Sequence, residues 1–63
     1  MEGNKMVTYV ALKIKETHDK QGLTQAQALY RAFFISTAIY NRYKADVDTI
    51  LTVDGYGDCI VAE

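Results

Sequence analysis

The segment Thr24–Lys44 constrains the fold most, because it begins like a helix and then carries apolar residues on too many sides. Gln27 follows Thr24 at the spacing in which these two side chains satisfy free backbone N–H groups at a helix N-terminus. A helix that covers one sheet needs a single apolar stripe. Its outer face has a second apolar strip at successive i, i+4 positions: Tyr30, Phe34 and Ala38. We predict a helix over residues 25–44 with an extra apolar surface for a partner.

The segment Met6–Lys15 has the alternation of a β-strand. One predicted face is apolar apart from a threonine, and it is formed by Met6, Thr8, Val10, Leu12 and Ile14. The other face contains Val7, Tyr9 and Ala11 before two lysines. The polar, glycine-terminated segment Glu16–Gly22 then predicts a loop that leads into the helix.

Residues 46–63 fit two structures. The β-branched residues of Val47–Val53, the turn Asp54–Asp58 and the short run Cys59–Ala62 predict a hairpin. Val47, Ile50 and Leu51 also extend a helical stripe that Gly55 could end. The hairpin is our prediction, and the helix is the alternative.

These elements predict an α+β fold of order β-α-β-β, with a three-stranded sheet covered on one face by one long helix. The alternative is a strand, an extended helix to about residue 52 and a terminal strand. At 63 residues the chain is expected to be one small domain, residues 1–63, with residues 1–5 as a frayed polar lead.

A domain this short usually needs a disulfide, a metal, an oligomeric partner or unusually good packing. Cys59 is the one cysteine and His18 the one histidine, so an internal disulfide is impossible and these two ligands alone cannot form a structural zinc site. We therefore expect no cofactor and favour oligomerisation.

Residues with reactive side chains do not form a catalytic motif in the sequence. His18 lies in a polar stretch and is interpreted as a solvated residue. Cys59 precedes an apolar run and follows Asp58, which would raise its thiol pKa, so we interpret it as a small buried side chain. Asp54 and Asp58 flank Gly-Tyr-Gly without the spacing of a calcium loop, which indicates an aspartate-stabilised turn.

Charge is unevenly distributed along the chain. Residues 1–44 contain seven basic and three acidic side chains, a balance of +4, whereas residues 45–63 contain five acidic and none basic, a balance of −5. The two halves can neutralise each other on folding, or the acidic part can meet a basic partner. The low overall basicity argues against nucleic-acid binding. The sequence has no signal-peptide pattern or apolar run of bilayer length, which predicts a cytoplasmic protein without a membrane partner.

Two surfaces are candidate protein interfaces. One is the outer strip of the helix, and the other is the uncovered sheet face with Tyr9 and Ile50, while Tyr56 in the turn is a further contact candidate. These residues predict a small non-enzymatic homo-oligomer, an accessory or regulatory protein that binds protein. A nucleic-acid-binding regulator and a small-ligand or metal sensor are the alternatives.

Overall fold

The structure, a computed structural model, describes residues 2–36 and 38–61, and all regular structure in these residues is helical. The elements in chain order are α1 (Glu2–Gln21), α2 (Leu23–Ser36), the short α3 (Ala38–Asn41), α4 (Lys44–Val53) and a 3-10 helix (Gly57–Cys59). Helix α1 packs against both α2 and α4, and the 3-10 helix contacts α2 and α4. One hydrophobic cluster joins α1, α2, α4 and the 3-10 helix.

The predicted α+β fold is wrong, beginning with the first strand. Met6–Lys15 lies inside α1. The segment that alternates like a strand also has apolar residues at i, i+3, i+4 and i+7, which is the spacing of one helix face. These residues are buried: Val7, Val10, Ala11 and Ile14. The strand preference of β-branched side chains is weak and context-dependent, so burial of this face decides in favour of a helix.

The predicted hairpin is also wrong. Val47–Val53 belongs to α4, with Val47 and Leu51 buried one turn apart, and the run that begins at Cys59 starts with the end of the 3-10 helix. Ala62 lies outside the described residues. The alternative of a helix to about residue 52 is closer at its C-terminal end, but a turn at Arg42 and Tyr43 separates α4 from α3, so one continuous helix does not form.

The connection between α1 and α2 is one residue, Gly22, where we predicted a seven-residue loop and a cap at Thr24. Gly22 has φ of +97°, a left-handed conformation that glycine adopts without a side-chain clash. Its N–H donates to the His18 carbonyl at 3.0 Å, and its own carbonyl accepts from Ala26 N–H at 3.1 Å. The same glycine therefore ends one helix and begins the next.

Gly55 ends α4 in the way the helical alternative expected. Its φ is +87°, its N–H donates to the Thr52 carbonyl at 3.2 Å, and Tyr56 N–H donates to the Leu51 carbonyl at 2.6 Å. These paired bonds form a Schellman motif, which satisfies carbonyls that the helix leaves free. The motif turns the chain back toward α1 and α2.

The core contains the aromatic residues that we expected on the outside. Tyr30 and Phe34 are 1% and 2% exposed and are its largest fully buried side chains. Their prediction as an outer strip is wrong because the side of α2 that carries Ala26, Tyr30 and Phe34 is buried in the core that α2 shares with α1 and α4. Burying two large rings removes far more apolar surface from water than burying alanines would.

Helix α1 begins at Glu2, within the segment predicted as a polar lead. Fraying is a motion that a single structure does not report, so the predicted fraying of residues 1–5 stays a prediction. The prediction of one domain over residues 1–63 also stays a prediction. Met1 lies outside the described residues.

The burial of α2 predicts that its two phenylalanines differ in their contribution to stability. Phe34→Ala should lower the free energy of unfolding by about 3–5 kcal/mol, because a fully buried ring leaves a cavity. Phe33 is partly buried, so Phe33→Ala should cost less. Urea unfolding followed by circular dichroism measures both variants. A larger loss for Phe33→Ala would contradict the burial of Phe34.

Candidate functional site

Three side chains with metal-ligating or nucleophilic atoms meet where the end of α1 contacts the 3-10 helix. His18 comes from the last turn of α1, and Asp58 and Cys59 come from the 3-10 helix. One nitrogen, one carboxylate oxygen and the thiol sulfur lie within 4.8 Å of one another. We call these three residues the His18–Cys59 cluster. The sequence does not indicate this cluster, because His18 lies far along the chain from Asp58 and Cys59.

Tyr56 attaches the cluster to α1. Its hydroxyl lies 3.0 Å from each carboxylate oxygen of Asp19, to which it donates. Its ring meets the His18 ring edge-to-face with centroids 5.0 Å apart. Gln27 of α2 donates from Nε2 to the backbone carbonyl of Asp58 at 3.0 Å. The segment from Tyr56 to Asp58 is therefore hydrogen-bonded to α1 and to α2.

Cys59 is a buried thiol, as we expected from the sequence. Its side chain is in the core, and burial raises the pKa of the thiol, with the carboxylates of Asp58 and Asp19 raising it further. A thiol in such an environment stays protonated at neutral pH and is a poor nucleophile. Covalent catalysis through this thiol is consequently disfavoured.

A second polar group joins α2 to α4. The Tyr30 hydroxyl donates to Asp48 Oδ1 at 2.5 Å, and Lys44 Nζ donates to Asp48 Oδ2 at 3.1 Å. Burial and then the Asp48 hydrogen bond raise the pKa of Tyr30 to about 12. Hydrogen bonding with Tyr30 and then with Asp48 raises the pKa of Lys44 to about 12. These bonds satisfy the polar end of a buried ring, which is a structural role.

The outer face of α1 is a third candidate for a functional site, after the His18–Cys59 cluster and the polar group of Tyr30, Asp48 and Lys44. We define it by the exposed residues that point away from the core: Lys5, Thr8, Tyr9, Leu12, Lys13 and Glu16. Tyr9 is 49% and Leu12 54% exposed. Lys13 Nζ lies 5.9 Å from the centre of the Tyr9 ring and 4.0 Å from Glu16 Oε1. Two large apolar side chains thus lie in the middle of a charged and polar border.

The predicted interface residues do not form the surfaces we expected. Tyr30 and Phe34 are inside the chain, whereas Ala38 is exposed at the start of α3, so they form no continuous outer strip. Without a sheet, Tyr9 and Ile50 share no sheet face, and Ile50 packs against the core. A role for Ala38 or Ile50 at an interface stays a prediction.

Two predicted positions have other surroundings than we expected. Tyr56 is half-buried, with its hydroxyl bonded to Asp19. Leu12 is exposed, although we assigned it to the core face of a strand. Helical spacing of the buried residues Val7, Val10, Ala11 and Ile14 was the signal that could have placed Leu12 outside.

The Tyr30–Asp48 bond predicts a specific loss of stability at alkaline pH. A folded-state pKa above the ordinary value of 10.0 means that this contribution is complete below pH 10 and is lost as pH rises through about 12. Tyr30→Phe should cost about 1.5–3 kcal/mol at neutral pH, because a hydrogen bond to a carboxylate is lost. It should also flatten the decline in stability between pH 10 and 12.

Thermal and urea unfolding across this pH range test the expectation. An equally steep decline in Tyr30→Phe would refute the assignment.

Comparison with known proteins leaves function to be inferred from these groups of side chains. No protein family, curated protein or solved structure matches the chain. Among the described residues, no helix combines the length and the apolar character needed to cross a membrane.

Proposed function

We propose that this chain is a small non-enzymatic accessory or regulatory protein that acts by binding protein, and that the outer face of α1 binds a second copy of the chain. The observation that carries the proposal is the pair Tyr9 and Leu12, each about half exposed and one turn apart in the middle of the longest helix. Interfaces commonly have this arrangement of an apolar or aromatic centre within a polar rim.

The spacing of the outer face suits two-fold pairing. Two copies of α1 can pack antiparallel about a two-fold axis that passes near residues 10 and 11. A residue of one copy then lies opposite the partner residue for which the two residue numbers add up to 21. Tyr9 then faces the partner's Leu12, and Lys5 faces the partner's Glu16. Because the axis is two-fold, each of these contacts occurs twice.

The chemistry of the two contacts gives them different roles. A tyrosine ring against leucine buries apolar surface while the hydroxyl can stay in water. An exposed ion pair contributes little to affinity, about 0–1 kcal/mol, but it disfavours registers that bring like charges together. Tyr9 and Leu12 therefore supply affinity, and Lys5 and Glu16 select the orientation.

The size of the surface sets the expected strength of association. A standard interface covers about 800 Å² on each partner, and the whole chain exposes 4172 Å². One face of one helix covers less than that standard area. We accordingly expect a weak, reversible dimer whose population rises with protein concentration.

The nature of other partners follows from the charge distribution. The acidic residues Asp46, Asp54 and Asp58 are exposed on the side of α4 and the 3-10 helix, so we propose a protein partner rather than nucleic acid. The proposal also places the protein in the cytoplasm, where a thiol such as Cys59 stays reduced.

Leu12→Asp tests the apolar centre of the interface. A carboxylate there would be desolvated against the partner's Tyr9, so self-association should weaken at least about tenfold while the helical circular dichroism signal is retained. Analytical ultracentrifugation over micromolar concentrations measures the monomer–dimer equilibrium. The matched control is Val53→Asp on α4, whose side chain is 78% exposed and lies outside this face. Equal association of both variants, or an unmodified protein that stays monomeric, would overturn the proposal.

Charge exchange tests the antiparallel register. Lys5→Glu puts two carboxylates opposite each other at both ends of the interface and should weaken the dimer. Glu16→Lys puts two ammonium groups together with the same effect. The double variant restores opposite charges and should regain the association of the unmodified protein. Additive losses in the double variant would exclude this register.

A further inference from the structure

The His18–Cys59 cluster brings together three kinds of metal ligand from two separate elements of the fold. We propose that His18, Asp58 and Cys59 bind a divalent transition-metal ion, with Zn²⁺ as the best chemical match. This site uses no residue of the outer face of α1, so it goes beyond the proposed function and is independent of it.

The donor set selects the class of metal. Imidazole nitrogen, thiolate sulfur and carboxylate oxygen are the ligands that Zn²⁺ takes in proteins, and thiolate disfavours Mg²⁺ and Ca²⁺. The thiol proton is released to solvent when sulfur binds the ion. Three protein ligands leave the fourth tetrahedral position for water. The proposal depends on all three residues converging, since the cysteine or a carboxylate alone would not form such a site.

The distances are compatible with binding after a small side-chain movement. The ligand atoms lie within 4.8 Å of one another, whereas in a tetrahedral zinc site they would be about 3.5 Å apart, given metal–ligand bonds of about 2.0–2.3 Å. Asp58 is exposed and His18 partly exposed, so both side chains can move toward the buried sulfur of Cys59.

A second layer of hydrogen bonds supports His18. Asp19 Oδ1 lies 3.4 Å from His18 Nδ1, and Tyr56 holds the Asp19 carboxylate through its hydroxyl. If the proton of the neutral ring lies on Nδ1, facing Asp19, the lone pair of Nε2 is the one offered to the metal. Histidine ligands in metal sites usually donate their other ring N–H to a carboxylate, a backbone carbonyl or a water, which fixes the orientation and tautomer of the ring.

Metal binding at the His18–Cys59 cluster would stabilise the folded state. The ion would link the last turn of α1 to the 3-10 helix, two elements that come from opposite parts of the chain. A ligand that binds only the folded state stabilises that state by mass action. The protein should therefore melt at a higher temperature when the metal is present.

The experiment is a Co²⁺ titration of the reduced protein without an affinity tag, because a polyhistidine tag would bind the probe. We expect one Co²⁺ per chain, a thiolate-to-cobalt absorption band, displacement of Co²⁺ by Zn²⁺, and a raised melting temperature. His18→Asn and Asp58→Asn should each weaken Co²⁺ binding by more than the tenfold that loss of a supporting residue typically causes. Asp46→Asn on α4 is the control and should bind like the unmodified protein.

Each result has a defined meaning. Cys59→Ser should abolish the thiolate band. If Cys59→Ser fails to fold, His18→Asn and Asp58→Asn still test the proposal. Absence of the band in the unmodified protein overturns the proposal. So does a band that survives His18→Asn and Asp58→Asn unchanged, because the sulfur would then bind the ion without the other two ligands. The oligomeric state measured for the proposed function affects neither outcome.

Discussion

The burial of the Tyr30 and Phe34 rings between α1, α2 and α4 is the interaction on which the rest of the structure depends. The two ring centroids are 4.7 Å apart in a tilted arrangement, and both side chains are almost fully buried. A chain of this length has little apolar area to remove from water. Its two largest core side chains therefore determine which face of each neighbouring helix turns toward α2. Asp48 of α4 then lies under the Tyr30 hydroxyl and satisfies it.

The same packing determines which surfaces remain available. With Val7, Val10, Ala11 and Ile14 turned toward the core, Tyr9 and Leu12 lie on the opposite side of α1. The Gly55 turn brings Tyr56 and Cys59 back to the end of α1, where Asp19 and His18 lie. The surface proposed for self-association and the cluster proposed for metal binding therefore both follow from one arrangement of helices, although they share no residue.

Part of the candidate site could be inferred without the structure. Burial of Cys59 follows from its apolar neighbours, and that burial is the main cause that raises the pKa of its thiol, with Asp58 adding to the shift as expected. The position of Leu12 could not be inferred from alternation alone, because alternation places it inside a strand and helical spacing places it outside. The meeting of His18 with Cys59 leaves no local pattern at all, since three helices (α2, α3 and α4) separate them in the chain.

The sequence by itself determined local helix features of this protein: a helix through most of residues 25–36 and, only in the helical alternative to the predicted hairpin, a stop at Gly55. These depend on interactions between near neighbours, such as i, i+4 contacts and a residue that can adopt positive φ. The tertiary structure alone decided whether Met6–Lys15 and Val47–Val53 are helix or strand, and which face of α2 is buried. Short apolar runs fit the residue spacing of a helix as well as that of a strand. Which of the two forms depends on how much apolar surface it buries against elements distant in the chain.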